Sequence, residues 1–100
     1  MLTREGILKK IEEKKERVEK YGVKKIGLFG SYVRNESHEG SDVDILVEFE
    51  KGKKTFDNYM ELKFFLEDLF NYKVDLVITE AIKSDLKPYI LGGVKYAAGI

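Results

Sequence analysis

Three aspartates lie where the hydrophobic pattern predicts strands. Asp42 and Asp44 flank Val43 at the start of the apolar run 43–49, and Asp75 interrupts the run 73–78. Side chains two apart on a strand point to one face, so Asp42 and Asp44 should project together. Burying Asp75 without a partner would cost several kcal/mol, so a cation should lie nearby. With no cysteine and one histidine in the chain, three carboxylates favour a site for Mg²⁺ or Mn²⁺.

A glycine and a serine precede these aspartates. Gly30 and Ser31 directly follow the predicted strand 23–29. A helix beginning there would offer backbone N–H groups, a hydroxyl and a positive dipole end to a phosphate. Arg34, one helical turn further, could reach the same phosphates or pair with an aspartate. A phosphate corner beside a magnesium-type cluster is the combination that a nucleoside triphosphate requires.

Each of these residues also has a plain structural interpretation. Asp42 could begin a strand or cap a turn, Asp75 could pair with a lysine, and Arg34 could simply be exposed. A Gly-Ser pair after a strand is usually only a turn. His38, isolated in a polar loop, is predicted to be solvated and neither a base nor a ligand. The joint occurrence of the aspartates and the corner favours a site over these separate explanations.

The elements that must position these residues follow from periodicity and capping. Thr3 is predicted to cap a helix that runs to about Lys20 and ends at Gly22. The segment 55–71 has apolar residues at helical spacing over a broad face and should form a wall of the core. A shorter helix is expected over 80–91, with Pro88 as a kink or break, and the tail 92–100 is left unassigned. The order predicts an α/β (α+β) fold, a small mixed sheet of three to four strands with flanking helices.

Composition limits the classes of function. A chain of 100 residues, 43% hydrophobic and 36% charged, is predicted to form one domain over 1–100. Eighteen basic and eighteen acidic residues give a net charge of +0, so no general attraction to nucleic acid or to an anionic membrane is expected. The absence of cysteine excludes disulfides and thiolate metal sites. Without an apolar run long enough for a signal peptide or a bilayer span, a cytoplasmic location is expected.

The spacing of these residues resembles a known family. Gly30-Ser31, ten intervening residues, Asp42-Val43-Asp44 and a later VDLV strand carrying Asp75 are similar to the minimal nucleotidyltransferases (MNT) of the DNA polymerase β-like superfamily. In particular, the pattern resembles the MNT partners of HEPN toxins in prokaryotic toxin–antitoxin modules. The resemblance covers about Val23 to Leu91.

The resemblance implies a nucleotidyltransferase fold and a reaction. AMP would pass from ATP to a hydroxyl of a HEPN toxin, a tyrosine in this family, with pyrophosphate leaving. The protein would act as the antitoxin of a type VII-like module. Asp42 and Asp44 would ligate two Mg²⁺ ions, and Asp75 would ligate the catalytic metal and accept the proton of the attacking hydroxyl. Gly30 and Ser31 would hold the β- and γ-phosphates.

Two alternatives remain open at the level of the sequence. The protein could be a non-catalytic antitoxin that neutralises its partner by complex formation, or a small α/β domain with incidental aspartates. The short chain favours a protein acceptor over a polynucleotide. Apolar residues near the end are candidates for partner contact, although core packing is expected for two of them, Ile90 and Leu91; the candidates are Tyr89, Ile90, Leu91, Val94 and Tyr96. The acceptor, the base preference and the oligomeric state, homo- or hetero-oligomer, are left open.

Overall fold

A mixed four-stranded sheet forms the centre of the protein. The computed structural model describes residues 2–34, 36 and 42–100. The strands are β1 (Val23–Phe29), β2 (Val43–Phe49), β3 (Val74–Ile78) and β4 (Lys95–Tyr96), in the spatial order β3-β2-β1-β4. β1 is antiparallel to both β2 and β4, whereas β2 and β3 are parallel. The sheet confirms the predicted fold class.

Four helices accompany the sheet. They are α1 (Arg4–Glu13), α2 (Lys15–Lys20), α3 (Phe56–Phe70) and α4 (Lys87–Gly92), and two 3₁₀ turns cover Gly30–Tyr32 and Thr79–Ala81. α3 begins and ends as the sequence predicts. The Thr55 hydroxyl accepts a hydrogen bond from the Asn58 N–H, and Asn71 closes the helix in the left-handed conformation at φ 57°.

The first helix is not continuous, and the prediction of one helix from Thr3 to Lys20 was wrong. The helix breaks at Lys14, where φ is −108° and ψ is 22°. α1 and α2 both contact β1, and Ile11 before the break and Val18 after it are fully buried. The break therefore lets two short helices keep their apolar residues on the sheet.

The core lies between one face of the sheet and α1, α2 and α3. Leu28 of β1 is the register partner of Ile45 of β2, so their side chains share that face. The fully buried side chains around them come from both layers: Ile7, Ile11, Val18, Ile26, Leu62, Leu66, Val43 and Val47. α3 is only partly the predicted core wall, because Phe56 and Phe64 are 78% and 56% exposed.

The C-terminal part differs most from the prediction. In place of a helix over 80–91, a 3₁₀ turn is followed by α4, which begins at Lys87 with Pro88 in its first turn. Proline is tolerated there because the first N–H groups of a helix have no partner within it, so Pro88 lies in the first turn of this helix and does not break it. Ile90 and Leu91 lie outside the buried core. The tail adds β4, which pairs Tyr96 with Gly27. Over the described residues, every helix is too short or too polar to cross a bilayer.

Candidate active site

Three neighbouring strands bring the predicted site residues together. In the sheet register, Asp44 on β2 pairs with Phe29 on β1 and with Asp75 on β3. The corner at Gly30 directly follows Phe29, and Asp42 directly precedes β2. Since register partners share a face, Asp44 and Asp75 project side by side, while Val43 and Ile45 are fully buried on the other face.

The close approach of the corner to Asp44 requires glycine at position 30. Gly30 has φ +78°, a conformation that other residues rarely adopt. A Cβ atom built on Gly30 would collide with the Asp44 carboxylate. The Ser31 backbone donates a hydrogen bond to Asp44. The glycine-serine pair therefore forms one wall of the pocket that holds the Asp44 carboxylate.

The corner is shorter than predicted. A helix was expected to begin at Gly30, but the structure has a single 3₁₀ turn over Gly30–Tyr32. The Arg4 guanidinium, which the sequence analysis did not select, donates a hydrogen bond of 3.0 Å to the Val33 carbonyl just after this turn. No local signal in the sequence links Arg4 to a residue 29 positions away. α1 thus helps to hold the corner in place.

The surroundings of Asp44 disfavour the charged form of its carboxylate. Burial raises the pKa of its carboxyl above the usual value, and the negative charges of Asp75 and Asp42 raise it further. The Ser31 backbone hydrogen bond and the positive charge of Arg34 act in the opposite direction but do not prevail. Asp75 and Asp42 therefore both repel Asp44, which is half-buried between these exposed neighbours.

Asp75 is more exposed than its position in an apolar strand suggested. Its side chain is exposed on β3, which lies at the edge of the sheet. Water can solvate the carboxylate there, so the expected desolvation cost does not arise. The expected burial of Asp75 was wrong, and the exposed carboxylate is accessible to another molecule.

The donor set fits a hard divalent cation. Within the described ranges, no group of three or more His, Cys, Asp or Glu side chains is arranged so that it could hold a metal ion as it stands. Asp44 and its two repelling neighbours nevertheless supply oxygen ligands and an excess of negative charge, and a divalent cation would relieve the repulsion that raises the Asp44 pKa. The chemistry of these oxygen donors thus suits Mg²⁺ or Mn²⁺, and Asp42, Asp44 and Asp75 are the groups that would hold it.

Arg34 lies beside the aspartates without contacting them directly. Its guanidinium is exposed and forms an ion pair of 3.3 Å with Glu36, while its charge still lowers the Asp44 pKa. An exposed pair of this kind contributes little to stability, so Arg34 can exchange Glu36 for another anion. His38 lies outside the described residues, as does most of its loop.

A cleft of about 280 Å³ adjoins the corner. Its walls are Phe29, Gly30, Val33 and Arg34 on one side and Tyr89 and Ile90 of α4 on the other. Tyr89 and Ile90 are among the apolar residues that the sequence offers for partner contact, but nothing in the sequence places them beside Gly30. That proximity arises from the packing of α4 and has no local sequence signal.

Comparisons with known proteins agree with this geometry. A family model described as a nucleotidyltransferase domain matches residues 8–96. The protein adenylyltransferase MntA of Thermococcus cleftensis is 47% identical over 83 residues, which make up 83% of this chain and 83% of that protein. A solved structure assigned to the minimal nucleotidyltransferases has a TM-score of 0.73 at 32% identity, covering 88% of this chain and 93% of that one. A toxin–antitoxin structure with AMP-PNP has a TM-score of 0.69 at 26% identity, covering 89% and 73%.

The family follows from the extent of these matches. The family model spans most of the chain, and the relative from T. cleftensis is similar over most of both proteins. The chain therefore belongs to the nucleotidyltransferase domain family, which confirms both the resemblance to minimal nucleotidyltransferases and the predicted enzyme class.

Proposed function

We propose that the protein transfers AMP from ATP to a tyrosine hydroxyl of a HEPN toxin, with Mg²⁺ as cofactor, and acts as the antitoxin of a type VII-like module. The observation that carries the proposal is the position of Asp44 between the Gly30 corner and Asp75 on adjacent strands. The relative named protein adenylyltransferase MntA and the related toxin–antitoxin structure with AMP-PNP support the substrate and the partner.

The nucleotide would lie along the face that carries the aspartates. Gly30 and Ser31 would hold the β- and γ-phosphates, and Arg34 would contribute a positive charge to them. Asp42, Asp44 and Asp75 would hold two Mg²⁺ ions, which in such a site neutralise phosphate charge and orient the reacting oxygens. Mutual repulsion among these carboxylates favours this occupancy over an empty site.

The acceptor would approach from the side of Asp75, since that carboxylate is exposed at the sheet edge. Asp75 would accept the proton of the tyrosine hydroxyl as its oxygen forms a bond to the α-phosphorus of ATP. The bond from that phosphorus to the bridging oxygen breaks, and pyrophosphate leaves. The products are an AMP-tyrosine phosphodiester on the toxin and free pyrophosphate.

A second candidate function is neutralisation by binding alone. Tyr89 is 85% exposed, and Leu91 and Tyr96 on the same C-terminal part are also exposed. Aromatic and aliphatic residues of this kind can anchor a partner without any chemistry. A non-catalytic antitoxin would use this surface and need no metal.

A labelling experiment separates the two functions. The protein, purified HEPN toxin, Mg²⁺ and α-³²P ATP are incubated together, with Asp42→Asn and Asp44→Asn as test variants. Asp68→Asn, an exposed position on α3, is the matched control. We expect label on the toxin with the wild type and Asp68→Asn, and a loss of at least about 100-fold with the test variants. Equal inhibition of the toxin by all four proteins without label transfer would favour binding alone.

A further inference from the structure

β3 lies at the outer edge of the sheet and has β2 as its neighbour strand. In a strand, the N–H and C=O groups of one residue point to one side, and those of the next residue point to the other side. Every second residue of an edge strand therefore lacks a strand partner for these groups. The Lys73 carbonyl accepts a hydrogen bond of 2.9 Å from the Val43 N–H on the inner side. Val74 and Leu76 therefore direct backbone groups outward, on either side of Asp75.

α3 supplies partners for both outward-facing residues. Glu67 Oε2 accepts a hydrogen bond of 3.1 Å from the Val74 N–H. The Tyr59 hydroxyl donates one of 2.6 Å to the Leu76 carbonyl. Both bonds are part-buried, where loss of one partner leaves a poorly solvated polar group. The backbone around Asp75 is thus held by β2 on one side and by α3 on the other.

We infer that Tyr59 and Glu67 are positioning residues that set the place of Asp75 relative to Asp44; the inference rests on the proposed function. β3 is only five residues long, and Asp75 is exposed, so the backbone must do much of the positioning. Without the two bonds from α3, β3 would keep one neighbour and could shift along or away from β2. A displacement of about 1 Å in a reacting group can cost about 100-fold in rate.

The two bonds could instead serve the fold alone by covering the strand edge. A purely structural role predicts a lower free energy of unfolding and an unchanged kcat at temperatures where every variant is folded. A positioning role predicts a lower kcat and weaker divalent-metal binding under the same conditions. The KM for ATP should stay within about twofold, because the Gly30 corner follows β1 and not β3.

The test variants are Tyr59→Phe, Glu67→Leu and the double variant. Glu67→Gln keeps an acceptor oxygen and should recover most of the kcat and the divalent-metal affinity that Glu67→Leu loses. Tyr21→Phe is the matched control, since its hydroxyl accepts a hydrogen bond of 3.0 Å from Arg17 Nε and does not contact the sheet edge. Adenylyl transfer to the toxin gives kcat and KM, and calorimetric titration with Mn²⁺ in the absence of ATP gives metal affinity.

For the double variant we expect kcat to fall about tenfold or more and the Kd for Mn²⁺ to rise about tenfold, the size typical of lost outer contacts to metal ligands. Wild-type kcat and Mn²⁺ affinity in the double variant would overturn the inference, whatever the change in Tm. If the double variant does not fold, the inference is tested with Tyr59→Phe, which removes only one oxygen. The criteria are again kcat and Mn²⁺ affinity. If the wild type transfers no label, the proposed function fails, and the comparison of Mn²⁺ affinity between the wild type and the double variant alone tests the inference. If the wild type binds no Mn²⁺, both the proposed function and the inference are overturned.

Discussion

At the scale of the residue, the Asp44 carboxylate lowers the stability of the folded protein and is also a group proposed to hold the metal. Its pKa is raised in the folded protein by burial and by Asp75 and Asp42, so the folded state holds this proton more tightly than the unfolded chain. The free energy of unfolding therefore falls as the pH rises from the ordinary aspartate pKa through the raised pKa of Asp44. The full decrease is present above the raised pKa. Above the raised pKa, the ionised Asp44 opposes folding unless a cation is bound.

Replacing this carboxylate should stabilise the metal-free protein. In EDTA at pH 7, we expect Asp44→Asn to raise the Tm by a few degrees at most, because partial exposure screens the repulsion. Mg²⁺ should raise the Tm of the wild type and not that of the variant. Differential scanning calorimetry measures both effects, with Asp68→Asn as control. A variant less stable than the wild type in EDTA would contradict this view of Asp44.

A second prediction compares two glycines of similar conformation. Gly30 and Gly52 have φ of +78° and +79°, but only a Cβ at Gly30 would meet the Asp44 carboxylate; Gly52 has nothing within 4 Å. Gly52→Ala should cost about 1 to 2 kcal/mol of unfolding free energy and leave transfer intact. Gly30→Ala should carry the same conformational cost and also lower kcat/KM about 100-fold. Urea unfolding and the labelling assay measure the two quantities. Equal activity of the two variants would remove the special role of Gly30.

At the scale of the element, local signals explain which predictions succeeded. β1, β2 and α3 were predicted within a residue because alternation, apolar runs and the capping residues Thr55 and Asn71 are encoded in the segments themselves. The break at Lys14 accompanies the packing of α1 and α2 on β1. Neither this break nor the late start of α4 was predicted. For the same reason the aspartates could be found from their strand positions, whereas Arg4 and the cleft beside α4 could not.

Packing of the tail on β1 gives a prediction about this element. A Cβ on Gly27 would lie 2.7 Å from Val94 Cγ1 and 3.0 Å from the Lys95 carbonyl. Gly27→Ala should therefore displace β4 and cost about 1 to 3 kcal/mol in urea unfolding. Gly92→Ala, at the end of α4 with nothing within 4 Å, should be neutral or stabilise by up to about 1 kcal/mol. Equal stability of both variants would mean that β4 adapts without cost.

At the scale of the whole molecule, the large exposed apolar side chains of the described residues fall in two regions. Phe56 and Phe64 lie on α3, and the others lie in the C-terminal part at Leu86, Tyr89, Leu91 and Tyr96. Of these, Tyr89 borders the cleft that includes Gly30. A partner that covers the Gly30 corner would therefore contact Tyr89, whereas Phe64 lines a separate cleft with Arg17 and Tyr21.

Tyr89 should accordingly matter more for partner binding than an exposed aromatic residue elsewhere. We expect Tyr89→Ser to weaken binding of the HEPN toxin about tenfold, a typical loss for an aromatic anchor. Phe64→Ser, on α3 and 56% exposed, is the matched control and should bind as the wild type. Isothermal titration calorimetry gives both affinities. A larger loss of toxin affinity with Phe64→Ser than with Tyr89→Ser would place the toxin on α3.

The parallel pairing of β2 with β3 also orders the formation of the fold in time. β1 and β2 are antiparallel and joined by residues 30–42, whereas β3 reaches β2 only after residues 50–73, with α3 among them, have crossed. Longer connections close more slowly, so the corner and the first two aspartates should form before Asp75 arrives. Pulsed hydrogen exchange during refolding should show protection of β1 and β2 amides first; simultaneous protection of β3 would contradict this order. Under the proposed function, a chain still folding could not consume nucleotide until β3, which carries Asp75, is in place.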